Sequence, residues 1–140
     1  MTLLVHVPSY NGREALILDC DPRTLEWLSE SFKKMVRDTS GQSAAFIIGD
    51  EVPMQSEQNI RICIEKSANS GGSKIVREEN QFTWRMSHDD IMRCAELVDG
   101  LHSSQVPAHQ YLETDDPTAP VLVLSKGKCD AETLISMGSR

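Results

Sequence analysis

At 140 residues the chain has the length of one domain, enough to bury a core without metal or disulfide staples. Apolar residues make up 39% and charged residues 25%, a globular composition too apolar for a disordered chain. The net charge of −7 argues against nucleic-acid binding, since phosphate repulsion would oppose association. No run approaches the roughly 20 apolar residues that a membrane span needs.

In chain order, Thr2 to Val7 alternates as a short strand, and Pro8 to Gly12 reads as a turn with Asn-Gly chemistry. Arg13 to Asp19 returns as a second strand, so the start of the chain is expected to be a hairpin. Asp21-Pro22 opens a helix, because the carboxylate accepts from free amides and proline at the first helical position wastes none. Leu25, Leu28, Phe32, Met35 and Val36 give that helix an apolar stripe. Lys33, Lys34 and Arg37 suit its C-terminal dipole, and Gly41 is expected to close it. Trp27 falls beside the stripe, as a boundary residue.

Ala44 to Ile48 is expected as a third strand and Asn59 to Glu65 as a fourth, with Ile60, Ile62 and Ile64 on one face. Residues 67–73 read as a flexible connector. Gly71-Gly72 lacks the following helix and the placed lysine of a phosphate loop. Lys74 to Arg77 and Gln81 to Met86 continue as strand, with a break at 78–80. A second helix follows, capped by Ser87, with Asp90 in the capping-box position and Met86 and Ile91 placed as a hydrophobic staple. Ile91, Cys94, Ala95, Val98 and Leu101 form its buried stripe, while Asp89, Glu96 and Asp99 project to solvent. Ala108 to Glu113 and Val121 to Ser125 are the last strands, joined by an acidic loop.

These elements predict an α+β fold: a largely antiparallel sheet of about six to eight strands with two main helices packed on one face. Residues 1–129 are expected as one domain without internal repeat or linker, and 130–140 as a short C-terminal helix or flexible tail. The start of the chain has no basic leader, which points to the cytoplasm as its compartment.

Chemistry-bearing motifs are sparse. The cysteines at 20, 63, 94 and 129 form no CxxC pair and no cluster with histidine, so they read as small buried thiols and no metal site is expected. No serine lies in GxSxG or SxxK, no histidine in HExxH, and no catalytic residue or cofactor is assigned. His109, Tyr111 and Glu113 share one face of a strand and are the candidates for a small-ligand or enzymatic site. Their spacing of roughly 6.5–7 Å along the strand is too long for direct contact.

Charge gives the other candidate. Residues 81–118 carry Asp89, Asp90, Glu96, Asp99, Glu113, Asp115 and Asp116 against Arg85 and Arg93 only. Such a concentration suits a basic protein partner, such as a nuclease domain, with Trp84 or Tyr111, if exposed, as an aromatic anchor. Candidate partner-binding residues are therefore Trp84, Asp89, Asp90, Glu96, Asp99, Asp115 and Asp116.

The strings Trp84-x-Met86-Ser87, Asp99-Gly100-Leu101, His109-Gln110-Tyr111-Leu112-Glu113 and Val121 to Gly127 resemble small bacterial α+β immunity proteins of polymorphic toxin systems. The resemblance covers the last third to half of the chain. It departs after Gly127, where Lys128-Cys129 stand in place of the acidic and aromatic residues expected in relatives. It implies a non-enzymatic inhibitor that binds a cognate toxin domain, without saying which toxin. A ligand-binding domain and a housekeeping protein are the competing readings.

Overall fold

The computed structural model describes residues 2–10, 12–38, 44–49, 54–56, 59–67, 74–105, 108–112 and 119–126, with only the backbone of His109 among them. The chain opens with the expected hairpin. Strand β1 (Thr2–Tyr10) runs antiparallel to β2 (Arg13–Cys20), with Leu4 opposite Leu18 and Val7 opposite Ala15. β1 runs into the expected turn, to Tyr10, with a register shift between Val7 and Tyr10, and its other neighbour pairs only with Thr2, Leu3 and Leu4. Pro8 therefore sits where its missing N–H is not needed. Gly12 takes the positive φ of +80° that closes the hairpin.

Helix α1 (Pro22–Arg37) starts where the carboxylate of Asp21 accepts from Thr24 N at 2.8 Å. Leu25, Leu28, Phe32 and Met35 are buried, as the spacing predicts. The described C-cap is Asp38, whose N–H donates to Met35 O; Gly41, the expected closing residue, lies outside the described residues.

Strands β3 (Ala45–Ile47), β4 (Met54–Ser56) and β5 (Arg61–Lys66) follow, β4 being too short to leave a pattern in the sequence. The break expected at 78–80 is a turn at Glu79-Asn80, with Glu79 at φ +47°, joining β6 (Lys74–Glu78) to β7 (Gln81–Met86). Helix α2 (His88–Ser103) is capped by Ser87, which accepts from Asp90 N at 3.3 Å. Strands β8 (Ala108–Leu112) and β9 (Val121–Lys126) close the described chain. The tail expected at 130–140 lies outside the described residues.

The fold is α+β, but the strands form two mixed sheets instead of one largely antiparallel sheet. One has the order β4-β1-β2-β9-β8 and the other β3-β5-β7-β6. β1 with β4, β2 with β9, and β5 with β7 pair in parallel; the remaining neighbours are antiparallel. The hairpins were legible because a turn joins their strands. The parallel pairs unite strands that are not consecutive in the chain, from β5 and β7 with β6 between them to β2 and β9 at opposite ends, and no local signal records them.

The structure also holds an internal repeat that the sequence does not show. Each half runs hairpin, 16-residue helix, antiparallel strand pair, with β4 added between the paired strands of the first half. The first hairpin of one half pairs with the last strands of the other, so β1-β2-β9-β8 in one sheet corresponds to β6-β7-β5-β3 in the second. The helices match position by position: Asp21 and Ser87 cap them, Leu25, Leu28, Phe32 and Met35 correspond to Ile91, Cys94, Val98 and Leu101, and Asp38 and Ser104 end them. The matched positions carry different side chains, several of them different in polarity, so the repeat is visible only in three dimensions.

The main core gathers the inward sides of both sheets and both helices, with Leu16, Leu18, Ile62, Ile64, Phe82 and Trp84 among its buried members. The outward faces of the two sheets differ. Val5, Val7, Ala15, Ile17, Val121 and Val123 form a second buried cluster on the five-stranded sheet. The four-stranded sheet instead turns out Arg61, Glu65 and Arg85, with Arg85 Nε 3.5 Å from Glu65 Oε1.

Candidate functional site

The capping signals that start α2 also set the rotation of its outer face. With Ile91, Cys94, Val98 and Leu101 turned inward, Asp89, Met92, Glu96 and Asp99 fall at steps of three and four along one outer strip. Met92 is 41% exposed, one of two large apolar residues on the described surface. α1 packs alongside, and between the helices lies a groove of about 330 Å³ with Val36, Met92 and Ala95 as its apolar part. Lys33 and Arg37 form one wall, Glu96 and Asp99 the other.

Lys33 Nζ donates to Asp99 Oδ1 at 3.1 Å across this groove, and Ser29 Oγ donates to the same oxygen at 3.2 Å. The hydrogen bond and charge of Lys33, then the Ser29 hydroxyl, hold the Asp99 carboxyl below the ordinary carboxylate range. Asp99 is thus an ionised link between the helices. Asp90 lies off the strip, 3.5 Å from Arg93 Nη2 at the start of the same helix.

Trp84 does not belong to this surface. It is fully buried in β7 on the core side, so it cannot act as the proposed aromatic anchor. Strand alternation explains this: Phe82, Trp84 and Met86 share the inward face, and the sequence marks the alternation without saying which side is covered. Glu113, Asp115 and Asp116 lie outside the described residues.

Of the His109, Tyr111 and Glu113 row, Tyr111 alone has a described side chain. It is 39% exposed, and its hydroxyl is 3.1 Å from that of Tyr10. Among the described residues no three His, Cys, Asp or Glu side chains gather to hold a metal ion. Cys20, Cys63 and Cys94 are buried free thiols. No described helix is long and apolar enough to cross a membrane.

A larger hollow, of about 600 Å³, lies at the C-terminal end of α1 beside β3. Trp27 and Phe46 meet there edge to face at 5.7 Å between ring centres, with Lys34 and Arg37 on the rim. The periodicity placed Trp27 at the boundary but held no signal for Phe46, which reaches it only through the pairing of β3 with β5. Met92 did leave a trace, as a methionine off the apolar stripe of an otherwise polar helix face.

No protein-family model matches the chain, and neither a curated protein nor a solved structure matches it.

Proposed function

We propose that this chain is a non-enzymatic protein-binding domain of the immunity type, which neutralises a basic toxin domain through the outer face of α2. The observation that carries this reading is the exposed Met92 within the strip of Asp89, Glu96 and Asp99. An exposed apolar side chain with Asp89 and Glu96 one turn to either side suits a partner that offers a shallow apolar contact beside lysine or arginine. Long-range attraction would speed encounter and select the partner, while the apolar contact would slow its release.

The test is coexpression of the chain with any secreted multidomain toxin found encoded by the adjacent gene, followed by growth rescue and a binding titration. Met92→Lys and Glu96→Lys should each weaken binding by about tenfold or more, and rising salt should weaken the wild-type complex. Tight binding unaffected by either substitution would remove α2 as the contact surface. Absence of any binding or rescue would remove the immunity reading.

A further inference from the structure

The hollow beside α1 is set apart by a difference between the two halves of the chain. In the second half the position of Trp27 is taken by Arg93, since each α2 residue follows its α1 counterpart as Ser87 follows Asp21. The position of Phe46, opposite Ile64, is taken by Gln110, opposite Leu124. The repeat therefore folds around a helix and strand pair without aromatic residues at this level. The first half nevertheless places Trp27 against Phe46, and Phe46 against the buried Phe32 with ring centres 5.3 Å apart. The cavity that Trp27 and Phe46 line, about 600 Å³, falls within the roughly 300–1,000 Å³ range of small-molecule sites.

We propose that this hollow binds a planar apolar anion, an aromatic carboxylate or sulfonate, with its ring against Trp27 and Phe46 and its charged group toward Lys34 and Arg37. Lys34 and Arg37 place two positive charges on its rim. The end of a helix ordinarily repels anions through its free carbonyls. Here Lys66 Nζ covers two of them, donating to Met35 O at 3.2 Å and Asp38 O at 2.8 Å, and adds a third positive charge nearby. Glu30 and Asp38 on the same rim oppose a cluster of negative charge, and against Lys34, Arg37 and Lys66 they leave room for a ligand with one anionic group. The ring supplies the apolar contact and edge-to-face geometry that aromatic side chains favour.

Calorimetric titration of the full chain with 2-naphthoate, and separately with neutral 2-naphthol, tests the site. Saturable binding of 2-naphthoate is expected at one site. Phe46→Gln and Trp27→Arg should each weaken it by about tenfold, and both place a residue that the second half already accommodates. Lys34→Gln combined with Arg37→Ser, at exposed positions, should weaken 2-naphthoate by about tenfold and leave 2-naphthol nearly unchanged. Far-UV circular dichroism and a urea midpoint confirm that each variant is folded. Absence of saturable binding overturns the proposal. So does binding that survives both the aromatic and the charge substitutions, or equal affinity for the naphthol and the naphthoate.

Discussion

The ammonium of Lys66 lies 3.2 Å from the carbonyl oxygen of Met35, so the end of a strand closes the last turn of a helix. Lys126 repeats the arrangement in the second half, its Nζ 2.6 Å from His102 O and 2.7 Å from Ser104 O. Both lysines end a strand, β5 and β9, and those strands lie in different sheets. Each therefore adds a charged donor to carbonyl oxygens at a helix end.

Lys66→Met and Lys126→Met keep most of the aliphatic stem and remove the donor. Each should lower unfolding free energy by about 1–3 kcal/mol, the cost of leaving such acceptors without a charged partner. The two losses should add in the double variant, because the clamps act on different helices. Urea denaturation of the four proteins measures this.

Trp84 is fully buried, and its indole Nε1 has no hydrogen-bond partner among the described residues. Burial of the ring stabilises the core while the orphaned N–H costs part of that gain. Trp84→Phe should therefore cost less than about 1.5 kcal/mol, whereas Trp84→Ala should cost about 3–5 kcal/mol. Chemical denaturation separates the two. A Phe variant as unstable as the Ala variant would mean that the N–H is satisfied.

The Tyr10 hydroxyl is pushed up from 10.0 to about 12, first by burial and then by the hydrogen bond and proximity of Tyr111. The folded state thus holds this proton more tightly than the unfolded chain does. Its contribution to stability is complete below pH 10 and is lost as pH rises toward 12. Tyr10→Phe should flatten this part of the stability profile relative to wild type. Urea midpoints between pH 8 and about pH 11.5 give the comparison.

Burial raises the thiol of Cys94 to about 12 and that of Cys20 further, with Asp19 and Asp21 adding to the effect at Cys20. Thiolate is the reactive form, so both should resist iodoacetamide at pH 8 in the native chain and react once urea unfolds it. Peptide mass mapping after brief exposure distinguishes the two sites. Fast native labelling of either would contradict its burial.

Much of the local structure was legible before the fold. Asp21-Pro22 and Ser87 marked both helix starts because a cap depends on residues within one turn. The stripes from Leu25 to Met35 and from Ile91 to Leu101 marked the buried faces for the same reason. The candidate site was legible only in part: Asp89, Glu96 and Asp99 were placed on an exposed helix face, but the role given to Trp84 was not met. Alternation along Phe82, Trp84 and Met86 shows that one face is buried without showing what covers the other.

The sequence by itself determined the helices, the hairpins and the acidic balance, since each depends on neighbours a few residues apart. Tertiary structure alone decided the rest. The parallel pairing of Ala15 with Val121, and of Ile64 with Trp84, splits the strands into two sheets and creates the repeat. It also set Lys33 against Asp99 and Trp27 against Phe46. These contacts join residues far apart in the chain, and their partners are selected by the packing of a shared core, which no local stretch of sequence records.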